Sequence, residues 1–140
     1  MAIQLSVGVR NGRLQAIETA IGASPKLIIY ELDDAAPVNC AASMAVEDTV
    51  LATLTLPANF MDDPALGVVD LLGTWSDASA DGSGTADFFR VWDSAVENCH
   101  IQGTASDDLG AGDLKITGTN VLVAGQTFTI SKFELTDGNA

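Results

Sequence analysis

The apolar positions change their period once, near Pro25, and that change divides the chain into one helix and a run of strands. In "NGRLQAIETAIG", Leu14, Ile17 and Ile21 recur at helical spacing, which predicts a helix over about 12–21. Asn11 is placed to cap its start and Gly22 to end it. A helix of about three turns is marginal alone. Its apolar stripe is therefore expected to dock as a lid across the open end of a sheet, or to act as a contact arm for a neighbouring subunit.

Beyond Pro25 the period is two-fold. "KLIIYEL" is short, apolar and β-branched. In "TVLATLTLP", Val50, Ala52, Leu54 and Leu56 point one way, with Leu51, Thr53 and Thr55 opposite. "GVVDLLGTWS" reads as a strand with a break at Gly73. "ADFFRVWDS" sets Phe89 and Val91 on one face against Phe88, Arg90 and Trp92 on the other. "NCHIQGTA", "DLKITGTNVLV" and "QTFTISKFEL" follow, separated by Gly, Asn, Asp and Ser clusters. In the last of these, Phe128 and Ile130 share a parity that Phe133 and Leu135 do not. A one-residue bulge near Ser131 and Lys132 would return all four to the core. With no repeats or linkers, the pattern predicts a single domain over 1–140. The expected fold class is all-β: an antiparallel two-sheet sandwich, a jelly roll of about 8 strands, with one short N-terminal helix.

The 140 residues carry 19 acidic side chains against 6 Lys and Arg, a net charge of −13. That surface repels phosphate backbones and offers no basic patch to anionic lipid, so neither nucleic acid nor membrane is expected as a partner. It suits solubility and a basic protein partner. No apolar run approaches a membrane span, and "MAIQLSVGVRNGR" lacks the order of a secretory signal. The chain is expected to work where it is made, in a cytoplasm. Cys40 and Cys99 are too few and too far apart in sequence for a disulfide framework or a structural zinc site. Two small buried thiols is the expected state, with a single disulfide joining two strand ends as the other.

Candidate chemistry is sparse, and no catalytic, cofactor or metal residue is assigned. His100 is the single histidine. Its neighbour Cys99 points to the opposite face of a strand, so the two cannot form a thiolate–imidazole pair there. No phosphate loop or nucleophile elbow occurs. The pairs Asp33–Asp34, Asp62–Asp63 and Asp107–Asp108 sit in polar turns and read as solvated loop charges, or at most weak cation sites. "DASADGSGTADF" opens like a calcium loop at Asp77, Ser79 and Asp81, but Phe88 stands where a bidentate Glu is required. It reads instead as a loop joining two strands, and the chain as not an enzyme.

"LQAIETAIGASPKL", "GTADFFRVWDSAVENCHIQGTA" and "VLVAGQTFTISKFELTDGNA" resemble segments of small tailed-phage virion proteins. In length and pattern the chain is most similar to the jelly-roll cement, or capsid decoration, proteins of Bordetella-type tailed podophages. The resemblance implies a structural protein, without cofactor, that is made in the host cytoplasm and binds the outer capsid surface. It implies bridging of major capsid protein subunits and self-association as a homo-oligomer, a dimer. Such a role needs an exposed apolar or aromatic patch with a polar rim. The candidates are Trp92, Arg90 and Phe88 on one strand face, with Trp75 nearby if the strands pair, and Arg10 and Arg13 as a second contact. The competing reading puts both tryptophans in the core. Competing functions are a phage tail or neck component, and a carbohydrate-binding or adhesin module stacking sugar on Trp75, Trp92 and Tyr30.

Overall fold

The computed structural model describes residues 3–138. Helix α1 spans Val7–Ile21, one turn and more ahead of the expected start. Ser6 is the actual cap: its backbone is extended and its hydroxyl accepts from the Val9 N–H at 3.3 Å. Asn11 lies inside the helix, where its Oδ1 accepts from the Gly67 N–H at 2.9 Å. Gly22 ends α1 as expected, at φ +87°, with its N–H donating to the Glu18 carbonyl. Leu14 and Ile21 are buried in the core and Ile17 packs against it. Glu18 adds a polar anchor, its Oε1 accepting from the Phe60 and Met61 N–H groups at 2.7 and 3.0 Å.

Ten strands follow among the described residues: β1 Lys26–Glu31, β2 Thr49–Thr55, β3 Val68–Asp70, β4 Ser76–Asp77, β5 Gly84–Thr85, β6 Phe88–Trp92, β7 Cys99–Asp107, β8 Leu114–Ile116, β9 Val121–Leu122 and β10 Phe128–Thr136. The main sheet has the order β2-β1-β6-β7-β8-β10-β3, with β4 also on β10, and β5 and β9 form a small second sheet. The protein is mostly β with one short helix.

One pairing departs from the all-antiparallel expectation. β7 and β8 run parallel, Ala105 opposite Leu114 and Asp107 opposite Ile116, joined only by residues 108–113. Parallel neighbours ordinarily need about a dozen connecting residues or more. Here the loop doubles back flush along β7. A Cβ on Gly112 would lie 2.7 Å from the Ala105 carbonyl carbon and the Ser106 nitrogen, and one on Gly110 would lie 2.5 Å from the Ser106 Cβ. Side chains fasten the return. Ser106 Oγ accepts from the Gly112 N–H, Asp107 Oδ1 from those of Leu109 and Gly110, and Asp113 Oδ2 from the Thr104 N–H and hydroxyl. Asp108 accepts from the Gly118 N–H and the Ser131 hydroxyl. Asp107 and Asp108 are turn-forming acceptors as well as loop charges.

Two bulges set which side chains enter the core. In β10 the register against β8 slips between Ile130 and Lys132. Phe128, Ile130 and Phe133 are buried and Leu135 packs against the core, as the change of parity predicts. In β2 the slip opposite Ile29 and Tyr30 makes Leu51 the extra residue. Leu51 turns inward to full burial and Val50 outward to 42% exposure, against the expected facing of both. The Leu51 carbonyl accepts from the Asp81 and Gly82 N–H groups, so the glycine-rich loop crosses the free edge of β2 and covers it.

The core joins strands that are not neighbours in the sheet. Phe89 of β6 meets Phe133 of β10 edge-on at 5.8 Å between ring centroids, and Trp75 lies 5.2 Å from Phe133 and 6.3 Å from Phe60. Such ring pairs add about 0.5–1.5 kcal/mol each beyond the area they bury.

Candidate functional site

β1 and β6 are buried on both faces. Leu27, Ile29, Phe89 and Val91 enter the main core, while Ile28, Tyr30 and Phe88 form a second cluster with Leu32, Met44 and Trp92. The cover over this second face is the connection between β1 and β2, residues 32–48, referred to below as the strap.

Arg90 holds the strap down. It is 1% exposed, and its Nη2 donates to the Ala42 carbonyl at 2.7 Å, the Asn39 carbonyl at 3.1 Å and Gln102 Oε1 at 3.0 Å. Gln102, directly opposite Arg90 in the β6–β7 register, donates its own amide to the Pro37 carbonyl at 2.8 Å. The guanidinium also lies 5.5 Å from the centre of the Trp92 ring. Among the described residues it has no carboxylate partner, and its Nε has no hydrogen bond. A buried cation held mainly by backbone carbonyls fixes the chain that supplies them, because those carbonyls would otherwise be desolvated and unpaired.

The strap is stiffened from within as well. Asn39 Oδ1 accepts from the Ala41 and Ala42 N–H groups. Asp48 takes the Asp33 N–H on one oxygen and the Ala45 N–H on the other, closing the strap at its ends. Its outer side carries Val38 and Val46, 90% and 96% exposed.

Between the strap and the end of β6 lies an open cavity of about 670 Å³, lined among others by Cys40, Met44, Arg90, Trp92 and Cys99. Cys40 and Cys99, separated in sequence, meet there as free, partly exposed thiols, not as two deeply buried ones. Burial and the Cys40 thiol push the Cys99 thiol up to about 12, against the opposing pull of the Arg90 charge. Burial likewise raises the Tyr30 hydroxyl, partly offset by Trp92 and Arg90 beside it.

The residues expected to form an exposed patch are mostly interior. Phe88 and Arg90 face away from the main core, as the alternation predicts, but the strap covers them, and Trp92 is half-buried. Trp75 is 1% exposed in the main core, its indole N–H donating to the Leu72 carbonyl. Trp75 and Trp92 therefore do not share a surface. Arg10 and Arg13 clamp α1 to the other end of the chain: Arg10 Nη1 donates to the Asp137 carbonyl at 3.0 Å, and Arg13 Nε pairs with Asp137 Oδ2 at 3.3 Å. Arg10 is half-buried by that contact, while the Arg13 side chain stays 62% exposed.

The acidic loop at Asp77 is a turn: Asp77 Oδ1 accepts from the Ser79 N–H, and Gly84 sits so close to Glu31 that a Cβ would lie 2.3 Å from Oε2. His100 is exposed, with the Asp93 carboxylate as its electrostatic neighbour. Among the described residues no group of three or more His, Cys, Asp or Glu side chains could hold a metal ion, and no helix is long and apolar enough to cross a membrane. Sequence reasoning missed Asn39, Gln102 and the strap itself. One signal did point there: an arginine in the otherwise apolar run "FFRVW", which requires acceptors wherever it is buried. Comparison with protein-family models, with curated proteins and with solved structures returns no match to this chain.

Proposed function

We propose that this chain is a structural virion protein of a tailed bacteriophage, a cement protein that binds the outer capsid surface and bridges major capsid protein subunits. The observation that carries the reading is the strap. Val38 and Val46 project into solvent from a loop whose underside is tied to the sheet by Arg90 and Gln102. Apolar tips on a pre-ordered loop bind a partner without the entropy cost of ordering the loop at that moment. These valines replace the buried Phe88, Arg90 and Trp75 as the residues that grip, with Trp92 reaching the rim of the same region.

The acidic charge of −13 favours a partner with basic seams and disfavours packaged nucleic acid as the ligand. Repeated over a shell by symmetry, modest contacts of this kind sum to a large avidity and resist expansion. The contact of Phe89 with Phe133 across the core, between strands three places apart in the sheet, supports a sheet folded over on itself as a two-layer sandwich of jelly-roll kind. The sugar-binding alternative loses its platform, because Trp75 and Tyr30 are 1% and 5% exposed.

The test is cosedimentation with purified empty capsids of the podophage type. Saturation at a fixed ratio to major capsid protein supports the proposal. A protein that ignores capsids but is retained on glycan or on intact cells contradicts it.

A further inference from the structure

We propose that Cys40 and Cys99 are a redox-sensitive clasp, a thiol pair that closes to a disulfide and locks the strap onto the sheet. The inference rests on the strap's geometry and not on capsid binding. Cys99 is the first residue of β7 and pairs with Trp92 at the end of the β6–β7 ladder, just past its register shift, so the sheet sets its position. Cys40 comes from a different segment, yet its place is fixed almost as firmly. Arg90 holds the carbonyls of Asn39 and Ala42 on either side of it, Gln102 holds that of Pro37, and the Asn39 side chain closes the turn over Ala41 and Ala42. The two thiols line one cavity, interact with each other and are both free. Arg90 thus places Cys40 beside Cys99, and its charge favours the Cys99 thiolate.

The cavity is open, so a small disulfide such as oxidised glutathione can enter it. One cysteine thiolate attacks a glutathione sulfur, forming a mixed disulfide and expelling the first glutathione thiolate. The other cysteine thiolate then attacks the mixed disulfide at the protein sulfur, forming the Sγ–Sγ bond and expelling the second. Two electrons pass from the protein sulfurs to glutathione disulfide, and the two thiol protons end on the two glutathione molecules. Because Cys99 holds its proton tightly, closure quickens as pH rises.

A closed clasp would bridge a loop of roughly 60 residues in the unfolded chain, a length at which cross-linking is strongly stabilising. It would also remove the strap's freedom to lift.

The test equilibrates the reduced protein in glutathione buffers from reducing to oxidising, then measures intact mass, free thiols after denaturation, and melting. The expected result is joint loss of both thiols in a monomer lighter by two hydrogens, a melting temperature higher by roughly 5–15 °C, and slower proteolysis within the strap. Cys40→Ser and Cys99→Ser should each stop at a single glutathione adduct and gain no melting temperature. Two thiols that survive every ratio, stable double glutathione adducts, or covalent dimers in place of the cross-linked monomer would overturn the proposal. Arg90→Lys gives a second check: loosening the strap should weaken closure at a given ratio, and unchanged closure contradicts the positioning role.

Discussion

Arg90 Nη2 lies 2.7 Å from the Ala42 carbonyl oxygen, a contact that joins the middle of a central strand to the middle of the strap. It places a cation where the alternation of "FFRVW" predicts an outward-facing side chain, and then covers it with backbone. The second hydrophobic cluster, the cavity and the meeting of Cys40 with Cys99 all depend on that cover.

Replacing Arg90 with Met keeps the bulk but leaves the Asn39 and Ala42 carbonyls without their donor. Stability should fall by about 1–3 kcal/mol. The more specific consequence is local: amide exchange across residues 37–44 should rise well beyond the global loss, while the β7–β8 region stays protected. Exchange followed by mass spectrometry checks this, and a strap that remains protected would show that Arg90 does not hold it.

Two glycines, Gly112 in the return between β7 and β8 and Gly12 in α1, should respond to alanine in opposite ways. Gly112→Ala drives a Cβ into backbone at 2.7 Å, which side-chain motion cannot relieve, and should cost about 1–3 kcal/mol. Gly12 lies within α1, where an added methyl group would meet nothing within 4 Å, so Gly12→Ala should stabilise by about 0.5–1 kcal/mol. Chemical denaturation of both variants beside the parent is sufficient.

How much of this was legible in the sequence differs between elements for physical reasons. The bulge in β10 was legible because Phe128 and Ile130 change parity with Phe133 and Leu135 within one strand. The bulge at Leu51 was not, because "TVLATLTLP" alternates cleanly and the slip comes with a loop, residues 81–82, docking on the strand from outside. The facing of Phe88, Arg90 and Trp92 was legible, but not their burial, since the strap that covers them has no periodicity of its own. The parallel pairing rests on Gly110 and Gly112 fitting against β7, a steric condition that a short polar loop does not advertise. The start of α1 was obscured because Asn11 resembles a cap and Gly8 and Gly12 weaken the helical signal.

Two carboxylates should pull the pH dependence in opposite directions. Asp108 is held below the usual carboxylate range by the Gly118 N–H and the Ser131 hydroxyl. Its contribution is present above the unfolded value of about 3.9 and lost as pH falls through the lower folded value. Asp87 is raised by burial, with Glu31 and Asp48 adding repulsion against the stabilising Leu32 N–H. Its proton-linked contribution is full below the unfolded value and lost as pH rises through the folded one. Asp87→Asn should therefore melt higher than the parent at pH 7, with the two curves converging in acid. Asp108→Asn should melt lower at pH 7, with that deficit shrinking in acid. Melting curves from acid to neutral pH distinguish the two, and parallel curves for either variant would contradict the assignment.

The strap's role as the gripping surface is tested most sharply by the binding of a Val38→Asp, Val46→Asp double variant to empty capsids, beside the parent protein. Both side chains are solvent-exposed, so the variant should melt within a few degrees of the parent. If the strap grips the shell, the variant's affinity for it should fall at least about ten-fold, equivalent to about 1.4 kcal/mol. Binding at full affinity and the same saturating ratio by a correctly folded double variant would show that the strap does not grip the shell.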